Sequence, residues 1–374
     1  MSSRLFAPIA LGDFELPNRL VVAPMCQYSA SDGSATDWHL QHLSQLAYSG
    51  AGHVVVEATA VERRGRITHG CLGLYSDDNE AALSRVIAVA RRLGGPTKFG
   101  IQLAHAGRKA SSRRPWEGGA PLAPNEDPWQ TVSSSATPFG DGWHVPHALS
   151  SDEIDASVRA FAAAARRAVR IGFDVIELHC AHGYLMHEFL SPLVNQRTDE
   201  YGGSLENRMR FPLAVIRAVR DAVPASIPVG MRVSATDWVE GGWDVAQTVE
   251  FVRAAQRLGI AFVCASSSGI RANVTVPVAP GYQVPFAARI RKETGVATRA
   301  IGLITDPRQA EQILARGDAD MIALARAFMD DPRWGWHAAD ALGAAAHFPS
   351  PYHLARTAGW LKFRDEIRKS EARV

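Results

Sequence analysis

Eight short apolar runs, separated by segments with helical periodicity, constrain the fold of this chain more than any other feature of its sequence. Most of the runs are continuously apolar rather than alternating, which is typical of strands in a parallel sheet covered on both faces. Eight such strands alternating with helices predict an α/β fold of the (β/α)8 TIM-barrel type. A doubly wound sheet is the main alternative, but no G-x-G-x-x-G follows the first run. The runs are Leu20–Pro24, His53–Thr59, Phe99–Leu103, Val175–Leu178, Val229–Val233, Ala261–Ala265, Val296–Ile301 and Met321–Leu324.

Two segments fall outside this repeat. Arg4–Arg19 contains two short extended pieces around Gly12 and Asp13, which predict a hairpin that covers the N-terminal mouth of the barrel. After the third strand comes a long insertion, Arg108–Leu149, which is rich in Pro, Gly, Ser and Trp. This composition is typical of loop, in which another hairpin can form. A loop of this length at the C-terminal end of a barrel strand is more often functional than not.

Composition narrows the function classes. The 374 residues include 40 basic and 38 acidic side chains with no long run of like charge, which gives no support to nucleic-acid or membrane-surface binding. The four cysteines lie far apart without a C-x-x-C pair, which disfavours a disulfide framework and a cysteine-only metal or iron–sulfur site. No apolar stretch is long enough to span a bilayer, and the N-terminus lacks the pattern of a secretory signal. We therefore expect one domain over residues 1–374, located in the cytoplasm.

The segment after the fourth strand carries the most informative side chains. His179 and His182 lie three residues apart at the strand exit and could be metal ligands, a donor pair for an anionic oxygen, or packing residues. A metal site needs a third ligand, for which acidic residues at or near other strand exits are available: Glu57, Asp237 and Glu177. The donor pair accounts better for Tyr184, because two imidazole N–H groups can hold a carbonyl oxygen while a phenol delivers a proton nearby. A phenol with a pKa near 10 suits donation better than base chemistry at neutral pH.

Other strand exits add chemistry of a different kind. Cys26 follows the first strand, and taken alone it is best read as a buried structural thiol. Gln102, at the end of the third strand, could pair with an imide or pyrimidine edge or could brace a loop. Arg232, at the end of the fifth, is by itself most often a salt-bridge partner. The last two strands lead into Ala300-Ile301-Gly302-Leu303 and Leu324-Ala325-Arg326, and in this fold such loops form the usual phosphate site.

Together these motifs resemble the old yellow enzymes, which are FMN-dependent ene-reductases, and in particular their thermophilic-like subgroup of xenobiotic reductases and NADPH dehydrogenases. The resemblance covers nearly the whole chain, and its blocks are far more specific than a single short motif. The blocks are Leu5-Phe6 through Pro17-Asn18-Arg19-Leu20, Ala23-Pro24-Met25-Cys26-Gln27-Tyr28, Gln102-Leu103-Ala104-His105-Ala106-Gly107-Arg108-Lys109, His179-Cys180-Ala181-His182-Gly183-Tyr184-Leu185 and Asn195-Gln196-Arg197-Thr198-Asp199-Glu200-Tyr201-Gly202-Gly203-Ser204.

The resemblance implies a role for each matching position. FMN would be bound tightly but not covalently, and NADPH or NADH would reduce it. Hydride transfer from flavin N5 and protonation by Tyr184 would reduce the C=C bond of enones, maleimides or nitroalkenes. Tyr28, His179 and His182 would bind the substrate's carbonyl oxygen, and Cys26 would tune the flavin. The remaining cofactor contacts would be Pro24, Met25, Ala58, Gln102 and Arg232 around the flavin ring and Ala300, Gly302, Ala325 and Arg326 near the phosphate.

This chain departs from the family pattern at two places. Ala325 stands where the family usually has glycine, so a methyl group faces the phosphate loop. The subgroup often ends with an arginine shortly before Gly-Trp that reaches into a neighbouring subunit, whereas here Arg356 is displaced from Gly359-Trp360. The resemblance therefore favours Trp360 as the residue that reaches a substrate pocket. It also implies a homodimer or homotetramer with the tail, about residues 350–374, at the interface.

Three alternatives remain at this point. One is a related oxidoreductase such as a dienoyl-CoA reductase, although the chain has neither the clustered cysteines nor the length for the added cluster and nucleotide domain. Another is a metal-dependent hydrolase or lyase with His179 and His182 as ligands. The third is a flavin-binding sensor without catalytic activity.

Overall fold

The computed structural model describes residues 3–371. Its strands are β1 (Ile9–Leu11), β2 (Phe14–Leu16), β3 (Leu20–Val22), β4 (His53–Ala60), β5 (Lys98–Ala104), β6 (Val132–Ser133), β7 (His147–Ala148), β8 (Val175–Cys180), β9 (Val229–Ser234), β10 (Ile260–Ser266), β11 (Ala297–Ala300) and β12 (Met321–Leu324). Its α-helices are α1 (Asp37–Ala47), α2 (Asp77–Gly94), α3 (Ser151–Ile171), α4 (Leu185–Leu190), α5 (Leu205–Ala222), α6 (Val245–Arg257), α7 (Val284–Thr294), α8 (Pro307–Ala315), α9 (Arg326–Asp330), α10 (Trp334–Leu342) and α11 (Ala358–Glu371).

Eight of the strands close into a parallel barrel. The order around it is β3, β4, β5, β8, β9, β10, β11 and β12, and β12 pairs with β3 to complete the ring. Each of the eight apolar runs lies on one of these strands, so the TIM-barrel prediction is confirmed and the doubly wound alternative is wrong. The first strand ends two residues earlier than predicted, at Val22, because Pro24 has no N–H to continue the ladder.

The predicted N-terminal hairpin is present and closes one end of the barrel. β1 and β2 pair antiparallel, with Ile9 opposite Leu16 and Gly12 in the left-handed conformation at the turn. The apolar side chains of the hairpin join a buried cluster with residues at the starts of barrel strands, among them Val55, Val175 and Met321. The N-terminal mouth is therefore filled with apolar side chains, which leaves the C-terminal end for chemistry.

The insertion after β5 differs from the expectation in one respect. β6 and β7 form a two-stranded sheet, but they run parallel, so the pair is not a second hairpin. The residues between them form a crossing connection, and short 3-10 turns such as Pro115–Glu117 occupy part of the insertion before β6.

Local signals explain the helix boundaries. Before α3, the Ser150 hydroxyl accepts from the backbone N–H of Glu153, while the Glu153 carboxylate accepts from the backbone N–H of Ser150. Gly172 then ends the helix with φ at 94°. Within residues 3–371, no helix is both long enough and apolar enough to cross a membrane.

Candidate active site

A cavity of about 250 Å³ lies at the C-terminal end of the barrel. Its walls come from the ends of six barrel strands and the loops that follow them. The lining residues are Ala23, His182, Arg232, Ser266, Ser267, Tyr282, Gln283, Ile301, Gly302, Leu303, Ile304, Thr305, Ala323, Leu324, Ala325, Arg326 and Ala327. This location agrees with the general position of active sites in barrel enzymes.

The two predicted histidines meet at the edge of this cavity. Nε2 of His179 lies 3.3 Å from Nδ1 of His182, and the two rings are nearly perpendicular, at 80°. The backbone N–H of Ala181 donates to Nδ1 of His179 at 3.2 Å, so Nδ1 must carry a lone pair. In a neutral His179 the proton is therefore on Nε2, the nitrogen that faces His182.

Both imidazoles are held neutral. Burial lowers the pKa of His179 and of His182 well below the usual range, and the nearby guanidinium of Arg232 lowers both further. A neutral imidazole offers one N–H donor and one acceptor. The pair can therefore donate hydrogen bonds to an oxygen but cannot supply protons at neutral pH.

The backbone around His182 is fixed from both sides. Its N–H donates to the Ser234 hydroxyl at 2.9 Å, and its carbonyl accepts from Nζ of Lys109 at 2.9 Å. His182 itself has φ at 60°, and the next residue, Gly183, has φ at 70°. A Cβ on Gly183 would lie 2.1 Å from the carbonyl oxygen of Gly269, so only glycine fits there.

Tyr184 lies against the histidine pair. Its ring contacts His179 edge to face, with the centroids 4.9 Å apart. Burial raises the pKa of the Tyr184 phenol, and the proximity of Cys26 raises it further. Tyr184 therefore keeps its proton, as a general acid must before it reacts.

Cys26 and Tyr28 belong to the same group of side chains. Burial raises the pKa of the Cys26 thiol well above its usual range, and Glu57 and Cys71 act in the same direction. Burial likewise raises the pKa of Tyr28, with smaller effects from Cys26 and Tyr184. The Tyr28 ring is braced by Trp116 of the insertion, whose ring centroid lies 5.8 Å away. The thiol and both phenols therefore stay protonated next to the histidines.

Two cations on the cavity wall have no partner within residues 3–371. The guanidinium of Arg232 makes no hydrogen bond or ion pair there, and its Nε is buried. Arg326 is exposed at the cavity edge and is also unpaired among the described residues. An unpaired buried donor costs free energy, so the cavity wall favours an acceptor or anion as ligand.

Gln102 points into the barrel interior, where it is part of a buried polar network. Its Nε2 donates to Glu177 Oε1 at 2.7 Å, and the other oxygen of Glu177 accepts from Arg299 at 2.8 Å. Arg299 also donates to Nδ1 of the buried His53 at 3.3 Å. This network fixes the orientation of the Gln102 amide, and its oxygen has no partner among the described residues.

The acidic residues considered as metal ligands are engaged elsewhere. Glu57 accepts from the backbone N–H of Gln27 and faces His39, Glu177 pairs with Arg299, and the carboxylate of Asp237 lies 3.1 Å from Nε2 of His187. Within residues 3–371, no three His, Cys, Asp or Glu side chains are grouped in a way that could hold a metal ion. The described geometry therefore gives the metal-hydrolase alternative no third ligand.

The structure separates the predicted contact residues into three groups. Four of the cofactor candidates line the cavity directly: Arg232, Gly302, Ala325 and Arg326. Others lie outside its lining, on β3 to β5, β11 or the loops that follow them: Pro24, Met25, Cys26, Ala58, Gln102 and Ala300. Trp360 is on α11, is 48% exposed and packs on Phe363 of its own helix, so within one described chain it does not reach the cavity.

Sequence reasoning missed the contribution of β10. Ser266 and Ser267 line the cavity, and Ser266 Oγ lies 2.7 Å from Nε2 of His182. Lys109, whose ammonium holds the His182 carbonyl, was also missed. The available signal was the run Ser266-Ser267-Ser268-Gly269 directly after the sixth predicted strand, because small polar residues at a strand exit allow close approach of a ligand.

Comparison with known proteins agrees with this site. The model of the NADH:flavin oxidoreductase / NADH oxidase family matches residues 4–343. An NADPH dehydrogenase of Listeria innocua is 42% identical over 355 residues, which is 94% of this chain and 99% of the relative.

Solved structures give the same fold. Morphinone reductase has a TM-score of 0.75 at 29% identity, covering 94% of this chain and 92% of that chain, and it is also known in complex with tetrahydroNAD with a TM-score of 0.73. A 2-naphthoyl-CoA reductase complex reaches a TM-score of 0.81, but at 24% identity this shows the fold alone, and this chain spans only 52% of that chain.

The family match covers most of the chain, and the barrel places His182 and two arginines without a partner among the described residues, Arg232 and Arg326, around one cavity, with His179 and Tyr184 beside His182. The relatives and the flavin family model both describe oxidoreductases, in agreement with the resemblance drawn from the sequence. The chain therefore belongs to the NADH:flavin oxidoreductase / NADH oxidase family, of which the old yellow enzymes are part, and is a flavin-dependent oxidoreductase.

Proposed function

We propose that this enzyme uses tightly but non-covalently bound FMN and NADPH or NADH to reduce the C=C bond of α,β-unsaturated carbonyl compounds, maleimides and nitroalkenes. The observation that carries the proposal is the convergence of His179 Nε2 and His182 Nδ1, 3.3 Å apart, with the Tyr184 ring beside them. One oxygen can accept from two nitrogens at that separation with both hydrogen bonds near 2.9 Å. A substrate held there has its oxygen fixed beside a protonated phenol.

The chain's own residues would divide the work as follows. His179 and His182 hold the substrate oxygen and stabilise negative charge that develops on it, with Tyr28 as a further contact. Tyr184 protonates the α-carbon, since the raised pKa keeps its proton in place until the carbanion-like carbon forms. Cys26, which stays a thiol, lies close enough to Tyr184 to affect its pKa and would border the reactive edge of the flavin.

The residues at the barrel top fit FMN. Arg232, with its buried unpaired Nε, would face the electron-rich pyrimidine edge of the flavin, and the free oxygen of Gln102 would accept from the ring imide. The amides of Gly302 and Ala325, together with Arg326, which has no partner among the described residues, suit the phosphate. Pro24, Met25, Ala58 and Ala300 remain predicted contacts. When bound, FMN would take hydride from the reduced nicotinamide and pass it to the β-carbon of the alkene.

We also propose a homodimer or homotetramer in which α11 carries Trp360 to a neighbouring pocket. Leu354, Trp360 and Phe363 are exposed on the tail, with 79%, 48% and 54% of their surface accessible. The tail is tied to its own barrel by Arg356 and Arg364, both of which pair with Asp340. Exposed apolar side chains on a segment that is held in place are typical of a protein interface. A cytoplasmic location is consistent with the free cysteines.

Separate measurement of the two half-reactions tests the proposed function. The purified protein should be yellow with oxidised-flavin absorbance, and after anaerobic reduction by NADPH it should be reoxidised by a panel of enones, maleimides and nitroalkenes. Tyr184→Phe should slow reoxidation by enones by roughly 10²–10⁴-fold while reduction by NADPH stays nearly unchanged. Equal loss of both half-reactions would remove Tyr184 as the acid. A colourless protein with stoichiometric zinc would instead support a metal enzyme.

A further inference from the structure

Among the described residues, Ser266 is the one side chain that forms a hydrogen bond with Nε2 of His182. It ends β10, is only 3% exposed, and its Oγ lies 2.7 Å from Nε2 of His182. Within residues 3–371 this hydroxyl forms no other hydrogen bond, so it can either donate to Nε2 of His182 or accept from it.

The arrangement of the two histidines defines what Ser266 does. The proton of His179 is on Nε2, because Nδ1 accepts from the Ala181 N–H. At 3.3 Å, this Nε2–H donates to Nδ1 of His182, which must then carry a lone pair. A neutral His182 in this arrangement therefore has its proton on Nε2 and donates it to Ser266.

A substrate oxygen changes this requirement. To accept from both rings, the oxygen needs an N–H on Nδ1 of His182, so Nε2 of that ring must become an acceptor. A hydroxyl can reverse its role without moving, since it has one donor and two lone pairs. A backbone carbonyl or a carboxylate in the same place would lock His182 in the Nε2–H form.

Building on the proposed function, we propose that Ser266 is a positioning residue that lets His182 change tautomer when an oxygen ligand binds. In the change, Nε2 releases one proton to water and Nδ1 takes one from water, so the ring stays neutral. Ser266 turns from acceptor to donor and the contact with Nε2 is kept. The backbone of His182 stays in place during this change, because Ser234 and Lys109 hold it on both sides.

The test uses the FMN-loaded full chain labelled with ¹⁵N-histidine, and phenolate as an unreactive oxygen ligand. His182 is assigned by comparison with His182→Gln. The expected spectrum is that of an Nε2–H imidazole without phenolate and of an Nδ1–H imidazole with it. The same tautomer in both spectra would overturn the proposal, and both spectra are recorded on the wild-type protein, with His182→Gln needed only to assign the signal.

Variants then test the role of the hydroxyl. Ser266→Ala should weaken phenolate binding, followed by flavin absorbance, by about tenfold, the loss of one hydrogen bond. Ser266→Thr keeps the hydroxyl and should bind within about twofold of wild type. The matched control is Ser267→Ala, which removes a neighbouring cavity hydroxyl that pairs with Gln283 rather than with His182 and should leave the tautomer change intact.

These outcomes separate two failures. Absence of alkene reduction by the wild-type enzyme would refute the proposed function while the tautomer readout remains informative. Normal phenolate affinity in Ser266→Ala, together with normal alkene reduction by wild type, would refute only the role of Ser266.

Discussion

Two arginines in the same barrel behave in opposite ways. Arg299, on β11 in the barrel interior, donates to Glu177 at 2.8 Å, lies over the Phe262 ring at 4.4 Å and is fully buried. Arg232, on β9 at the cavity wall, has no partner in residues 3–371 although its Nε is buried. The Nε atoms of both arginines are buried without a partner, but folding gives the interior cation a carboxylate, whereas the cation on the wall has no partner among the described residues.

This difference identifies which polar groups serve the fold and which serve a ligand. A buried charge that loses its partner is strongly destabilising, so Arg299 and Glu177 depend on each other. An unpaired guanidinium beside a cavity lowers stability, because no group of the described chain offsets the cost with a hydrogen bond or ion pair. Its retention at the end of β9 is consistent with an electron-rich ligand that completes its hydrogen bonds.

The largest expected effect comes from breaking the interior pair. Glu177→Gln leaves Arg299 charged and buried without a carboxylate, and should lower the free energy of unfolding by roughly 3–5 kcal/mol. Urea denaturation of the wild-type and variant proteins measures this loss. The double variant Glu177→Gln/Arg299→Met should recover part of it, because the uncompensated charge is gone. A single variant as stable as wild type would remove the distinction between the two arginines.

Removal of Arg232, the cation on the cavity wall, should affect FMN binding rather than stability. Arg232→Met should leave the stability of the FMN-free protein unchanged or slightly higher, yet weaken FMN binding by roughly 10–100-fold, the equivalent of a hydrogen bond to a charged group. Titration of the FMN-free protein by flavin fluorescence measures the affinity. Arg271→Met, an exposed arginine on the loop after β10, is the matched control and should bind FMN like wild type. Unchanged affinity in Arg232→Met would mean that Arg232 does not contact the cofactor.

The contrast also explains what sequence could predict. Strand positions came from continuous apolar runs, and the exits of parallel strands must meet at one end, so His179, Tyr184 and Arg232 were assigned to one site. The partner of Gln102 was not predicted, because Glu177 seemed available to a metal and only the barrel closure brings Arg299 to it. Ser266 was missed because the serine run after the sixth predicted strand does not say which serine meets which side chain. Its role depends on a 2.7 Å contact between the end of β10 and the loop after β8.

A smaller effect, on the pH dependence of stability, is expected from a second buried carboxylate, Glu188 on α4. Glu188 accepts from the backbone N–H of Arg108 at 2.9 Å, while its Oε2 has no partner in the described chain. Burial raises the pKa of Glu188 to about 7. The folded protein therefore binds more protons here than the unfolded chain between about pH 4.5 and 7, and stability should fall as pH rises through that window, by an amount on the order of 1–2 kcal/mol.

Urea denaturation at pH 5 and pH 7 checks this slope. Glu188→Gln cannot titrate, so the part of the pH dependence due to this residue should disappear in the variant. Other groups contribute equally to both proteins, which makes the difference between the two slopes the relevant quantity. Identical slopes would show that Glu188 ionises normally and would place its carboxylate in contact with water.

The smallest effect concerns the wall residue that departs from the family pattern. Ala325 has a negative φ of −108°, so it does not adopt the left-handed conformation that favours glycine, whereas Gly302 on the facing loop has φ at 112° and a Cβ there would lie 3.2 Å from Gln283. Ala325→Gly therefore relieves no strain and should lower the free energy of unfolding by only about 0.4–1 kcal/mol, through the greater freedom of the unfolded chain. Ala81→Gly, at an exposed position in α2, should lose a similar amount. FMN affinity should stay within about twofold of wild type in both variants. A clear gain of affinity in Ala325→Gly alone would mean that the methyl group of Ala325 crowds the phosphate. The cavity wall would then fit its ligand less well than the barrel interior fits its own ion pair.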